Sequence, residues 1–122
     1  AGGSYYLTWS QIKEMHSSGL INYGSHTVHH YNLPSISEDA VFKELSESKK
    51  TLQDNLGVPI NFISYPNGAT NNFVISLAQK AGYVGGVGTW ASTTQSEGNV
   101  YNMPRIRVSG AINISNFANL LQ

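Results

Sequence analysis

The chain contains no cysteine, which excludes disulfides and every metal site built on thiolates. Charge is also scarce. Acidic and basic residues number seven each, together 11% of the 122 residues, and the formal net charge is zero. The basic residues are scattered and form no stripe of the kind that grips a phosphate backbone, so nucleic acid is not an expected partner. No apolar run approaches the length that spans a bilayer, and no transmembrane segment is expected. With so little charge, the polar surface falls to Ser, Asn, Thr and Tyr. That composition suits an exported protein or one that handles sugars. Ala1-Gly2-Gly3-Ser4 reads either as a cloning remnant or as a mature end. Apolar residues make up 40%, enough for the core of one domain of ordinary size.

Against this plain background, Gly24-Ser25-His26-Thr27-Val28-His29-His30 stands out, with three of the four histidines in five residues. Imidazole is the commonest protein ligand for metals and a general acid or base near neutral pH. His26 and His30 stand four apart. Four histidines in a chain of this length give such a pair by chance about one time in ten, so spacing alone does not carry a metal site. A solvated loop with hydrogen-bonded histidines explains the pattern too. His29, adjacent to His30, should point elsewhere if His30 faces a metal, which makes it a spectator or a supporting group. His16 falls in the last turn of a predicted helix, where the negative end of the dipole explains it.

The surrounding elements raise the interest of the segment. Thr8 and Gln11 form a capping box, Ile12 and Met15 follow as an apolar pair, and Gly19 ends that helix. Leu20 to Gly24 reads as a short buried strand running straight into the histidines. The longest helix is expected from about Ser37 to Leu56. Ser37 caps it, Glu38 and Asp39 favour its first turn, and Val41, Leu45, Leu52 and Leu56 make its apolar stripe. Phe62 to Tyr65 is a second strand, stopped by the Pro66-Asn67-Gly68 turn. A third helix runs from about Asn71 to Ala81, capped by Thr70, with Val74, Leu77, Ala78 and Ala81 inward. Tyr83 to Val87 is a third strand. Ala91 to Asn102 is polar and irregular, Ile106 to Val108 alternates like a fourth strand, and Ser115 caps a last helix. Alternation of this kind predicts a parallel α/β sheet or barrel with helices outside. Sites in such folds form at the C-terminal strand ends, which puts the histidine segment and the Pro66-Asn67-Gly68 turn on one rim.

A catalytic zinc usually has three protein ligands and an open position, and two histidines with one carboxylate would complete the set. The aspartates are Asp39 and Asp54 alone, with five glutamates. Asp39 is nearest His30 in sequence, but its place at a helix start explains it. No carboxylate sits at a predicted strand end.

These residues together resemble a known family. The segment from Gly24 to His30, with Asn32-Leu33, is similar to the metal-binding motif of the polysaccharide deacetylases, the NodB-homology enzymes of carbohydrate esterase family 4. Leu7-Thr8 through Met15, with Gly19, resembles the stretch leading into that motif. Phe62 to Gly68 resembles the next motif, in the variant where Tyr-Pro replaces Arg-Pro-Pro. Ala81-Gly82-Tyr83 and Pro104-Arg105-Ile106 fit the branch that deacetylates extracellular poly-N-acetylglucosamine. The resemblance implies an α/β fold, part of a deformed (β/α) barrel, over residues 1–122 as a single partial domain. It implies a metal-dependent hydrolase that removes N-acetyl groups from poly-N-acetylglucosamine, peptidoglycan or a chitin-like polymer, outside a bacterial cell or in its envelope. The implied metal is divalent, zinc first, with cobalt or nickel as alternatives.

Carried over residue by residue, His26 and His30 match the metal-ligating histidines and Thr27 the residue that braces their loop. Pro66-Asn67-Gly68 matches the turn whose backbone N–H holds the oxyanion, with Asn67 where tyrosine is frequent. Ser64 stands where other branches have an arginine that orients the base. The resemblance gives that role to Arg105, although a surface or ion-pairing role explains Arg105 equally well. Two departures matter more. The family's Asp-Asp pair, base and third ligand, is absent, and so is its late Leu-x-His, the general acid. The resemblance therefore implies a fragment, itself inactive, whose partner is the missing N-terminal part of the same domain. A non-catalytic carbohydrate-binding or structural remnant is the alternative, with Tyr5, Tyr6, Trp9, Tyr31 and Trp90 available to stack on sugars. A non-haem iron site is a weaker third, with no cosubstrate signature.

Overall fold

Four short segments lie side by side and parallel, in the order in which the chain visits them. The computed structural model describes residues 5–122, so the reading of Ala1 to Ser4 lies outside the described residues. The two central segments are strands β1 (Phe62–Ser64) and β2 (Gly85–Val87), paired in register Phe62 to Gly85, Ile63 to Gly86 and Ser64 to Val87. On one flank, Ser25 makes a parallel bridge to Ile63, with its N–H donating to Phe62 O and its carbonyl accepting from Ser64 N–H. On the other flank, Met103 makes a parallel bridge to Val87.

Four helices frame this sheet. Helix α1 (Trp9–Ser17) begins with the expected capping box of Thr8 and Gln11. Helix α2 (Glu38–Leu56) is capped by Ser37 and closed by Gly57 in the left-handed conformation. Helix α3 (Asn72–Lys80) and the short α4 (Ile114–Asn119) follow. Val41 and Leu45 of α2 and Val74, Leu77 and Ala78 of α3 are buried with Ile63 and Tyr65 of the sheet. Leu52, Leu56 and Ala81 pack partly buried against that cluster.

The structure corrects several details. The strand expected over Leu20 to Gly24 shrinks to the bridge at Ser25. Leu20 is 84% exposed, and β1 is too short to pair with more of the segment. The fourth strand, expected at Ile106 to Val108, is replaced by the bridge at Met103. The next N–H on that side, of Arg105, donates to Trp90 O beyond β2, and the chain leaves the sheet there. Asn71, not Thr70, caps α3 by accepting from Val74 N–H at 2.9 Å. Asn113, not Ser115, caps α4 in the same way from Asn116 N–H. Asparagine and serine or threonine both suit the position, so pattern alone does not choose between neighbours.

Candidate metal and catalytic site

Because all four segments run parallel, the residues that follow each one emerge on one rim. After Ser25 comes His26, after Ser64 the Pro66–Gly68 turn, after Val87 the pair Gly88-Thr89, and after Met103 the pair Pro104-Arg105. The structure thus gathers the sequence-predicted residues at the strand ends.

His26 and His30 face each other edge to plane, with ring centroids 4.8 Å apart. Both residues are exposed. The His26 Nδ1–H donates to the Ser64 carbonyl at 2.6 Å, which leaves Nε2 with a free lone pair. His30 sits at φ 60° and Thr27 at φ 69°, a left-handed conformation that L-residues rarely take. Hydrogen bonds hold that shape. Thr27 Oγ1 accepts from His30 N–H at 3.1 Å, and Ser25 Oγ accepts from Thr27 N–H at 3.3 Å.

The strongest anchor is one the sequence reading did not single out. Glu44 of α2 is buried, 6% exposed. Its Oε2 accepts from Val28 N–H at 2.9 Å and from His29 N–H at 2.8 Å, while Oε1 pairs with His29 Nδ1 at 2.6 Å. Burial pushes the Glu44 carboxyl up. The hydrogen bonds from the His29 ring and from the His29 and Val28 N–H groups, with the His29 charge, outweigh burial and hold it below the usual carboxylate range. The His29 ring is thus held by Glu44, and it stacks on Tyr31 with centroids 5.3 Å apart. The legible signal was a glutamate on the stripe Val41, Glu44, Leu45, Ser48, where an acid has to find donors.

Asn67 lies in the turn that leaves β1, exposed and at φ 57°. Gly68 N–H donates to Tyr65 O and Ala69 N–H to Pro66 O, so the turn is closed without using the Asn67 N–H. Arg105 occupies a neighbouring cleft of about 230 Å³ with Thr89, Ile106 and Arg107. Its Nε donates to Gly88 O at 2.8 Å. Gly68 touches the same place, since a Cβ on it would meet Thr89 Oγ1 at 2.1 Å. Arg105 does not line the cleft of about 340 Å³ that holds His26 with Trp9, Gly24, Thr27 and Leu52.

Two facing imidazoles, that of His26 with its lone pair fixed by Ser64 O, suit a divalent metal as part of a ligand set. Among the described residues no group of three His, Asp or Glu side chains could hold one. Glu44 is committed to the loop behind the histidines and is no third ligand. His16 lies in the last turn of α1, whose C-cap is Ser18, and its ring sits beside Tyr23.

Comparison with known proteins accounts for this arrangement. The family model described as polysaccharide deacetylase matches residues 2–86. A Bacillus subtilis protein provisionally named a polysaccharide deacetylase, YxkH, is 33% identical over 95% of this chain and 41% of its own length. The poly-beta-1,6-N-acetyl-D-glucosamine N-deacetylase of Staphylococcus aureus is 30% identical over 84% of this chain and 38% of its own length. The chain thus spans about two fifths of the curated relatives it matches. The structure of the Streptococcus pyogenes deacetylase PplD, in complex with acetate, superposes with a TM-score of 0.92. That superposition covers 99% of this chain and 53% of PplD, at 28% identity. The parallel segments and their helices are therefore part of a deformed (β/α) barrel, and the chain belongs to the polysaccharide deacetylase family.

Proposed function

We propose that residues 1–122 are a single partial domain carrying the histidine side of a metal-dependent polysaccharide N-deacetylase centre. The reaction is hydrolysis of an acetamide on an N-acetylglucosamine polymer to a free amine and acetate. The observation that carries the proposal is the common rim, where the His26–His30 pair and the Pro66–Gly68 turn leave adjacent parallel strands. The Staphylococcus aureus relative is named for poly-beta-1,6-N-acetyl-D-glucosamine, which supports that polymer class, with peptidoglycan or a chitin-like strand as alternatives. The Streptococcus pyogenes neighbour holds acetate, the acid this reaction releases. A substrate of this kind supports an extracellular or cell-envelope location in a bacterium. The described helices include none long and apolar enough to cross a membrane.

His26 and His30 would hold the divalent metal, zinc first with cobalt or nickel as alternatives, together with a ligand from outside the described residues. Such a metal, when bound, polarises the carbonyl and lowers the pKa of water. The chain's own residues do the rest of what is asked of this rim. Ser64 O keeps the His26 lone pair aimed outward. The Asn67 N–H, unused in its turn, donates to the oxyanion of the tetrahedral intermediate. Arg105, with Nε fixed on Gly88 O, has its Nη donors left to orient a carboxylate base. No Asp-Asp pair supplies that base within these 122 residues, so the chain alone hydrolyses little or no substrate.

Two ligands make a weak metal site. Calorimetric titration of this chain with zinc is expected to give weak binding that disappears in His26→Ala. Tight one-to-one binding would overturn the partial-site proposal. The absence of a third ligand among the described residues favours one other reading, a non-catalytic carbohydrate-binding remnant. Glycan binding by a longer protein of the relatives' full length that shows no turnover with any divalent metal would support it.

A further inference from the structure

We propose that the groove between α3 and residues 97–102 is a binding subsite for a neutral N-acetylated sugar strand, separate from the histidine pair. The groove holds about 510 Å³, within the range of small-molecule pockets. Its lining combines carboxamides from Asn72, Gln79 and Asn102 with the rings of Trp90 and Tyr101, and Glu97 is its one charged group. A pyranose has an apolar C–H face and a rim of hydroxyl and amide groups. The indole suits the face, and the carboxamides and carboxylate suit the rim. No cation lines the groove, so nothing in it favours an anionic ligand over a neutral one.

The site is built rather than incidental. Trp90 is 44% exposed, yet its ring is fixed, because Nε1–H donates to Asn102 O at 2.9 Å. That bond occupies the indole's only donor and leaves the ring for stacking. Gly88 makes the arrangement possible. A Cβ there would come within 2.4 Å of Asn102 Oδ1 and 3.2 Å of Trp90 Cδ1. The Asn102 Oδ1 is enclosed without a hydrogen-bond partner, an uncommon state for a buried carboxamide oxygen. The far wall is ordered by its own bonds. Ser96 N–H donates to Asn99 Oδ1, Asn102 N–H to Asn99 O, and Gly86 N–H to Val100 O. Arg105 N–H donates to Trp90 O, so the groove adjoins the catalytic rim. A polymer reacting at the rim could therefore extend a neighbouring unit onto Trp90.

The choice of sugar rests on the deacetylase reading, and the test separates the two. The whole chain is titrated with a β-linked N-acetylglucosamine tetrasaccharide and followed by NMR. The expected result is saturable shifts at the Trp90 indole N–H and the Asn72 and Gln79 side-chain amides. Trp90→Ala should weaken binding about tenfold. Gln79→Ala, on the exposed face of α3, should weaken it a few-fold and keeps the test readable if Trp90→Ala fails to fold. The variant lacking both His26 and His30 should bind as the parent does. Unchanged affinity in Trp90→Ala or in Gln79→Ala, shifts that avoid the groove, or no saturation at millimolar tetrasaccharide would overturn the proposal. Turnover lost or kept in histidine variants of a longer protein bears on the deacetylase reading alone.

Discussion

His26 Nδ1 lies 2.6 Å from the carbonyl oxygen of Ser64, so a main-chain acceptor at the end of β1 sets the orientation of the imidazole. A carbonyl only accepts, and the proton must therefore sit on Nδ1 when the ring is neutral. Long-range proton–nitrogen correlation NMR above the imidazole titration range is expected to find the Nδ1–H tautomer at His26. The Nε2–H tautomer would contradict the geometry.

Glu44 sets the loop from behind. Glu44→Ala leaves the Val28 and His29 N–H groups without their acceptor, and a loss of about 1–3 kcal/mol in urea unfolding is expected. Glu44→Gln, which keeps an accepting oxygen, should lose less. The sign of the pH dependence follows from the lowered carboxyl. Its contribution is complete above the ordinary glutamate range and disappears as pH falls through the lower value of the folded state. Unfolding measured from neutral pH downward should show that loss in the parent and a flatter curve in Glu44→Gln.

Much of this architecture is legible in the sequence, and the exceptions have physical causes. The caps Thr8 and Ser37 and the stop at Gly57 are local, and they fall where the pattern puts them. The inward stripe of Val41 and Leu45 is equally local. Strand extent is not local. Leu20 to Gly24 has the composition of a strand, but β1 offers only three residues to pair with, and a single bridge remains. Ile106 to Val108 alternates properly, yet Met103 takes the place on β2 and the Arg105 N–H goes to Trp90 O beyond that strand. The pair His26 and His30 could be picked out by type and spacing. Glu44 could not be joined to it, because the thirteen residues between His30 and Glu44 hide that α2 folds back behind the loop.

Asn67 holds φ 57°, which asparagine tolerates and β-branched residues resist. Asn67→Val is expected to destabilise by about 1–2 kcal/mol in thermal or urea unfolding, whereas Asn67→Gly should be close to neutral. In a longer, active protein Asn67→Gly should also keep its turnover, because the donor assigned to the oxyanion is main chain.

Gly68 combines a φ of 66° with contact to Thr89. Gly68→Ala drives its new methyl against the Thr89 side chain, and a loss of about 1–3 kcal/mol is expected. Adding Thr89→Ala should recover part of that loss. Purely additive effects in a double-mutant cycle would show that backbone strain alone accounts for it.

The central claim is that His26 and His30 hold the metal of a deacetylase, and acetate release tests it most directly. The assay uses N-acetylglucosamine oligomers and a longer protein that contains this chain within a domain of its relatives' full length. His26→Ala and His30→Ala should each abolish release while the fold is retained. Continued turnover by a folded His26→Ala variant would contradict the account.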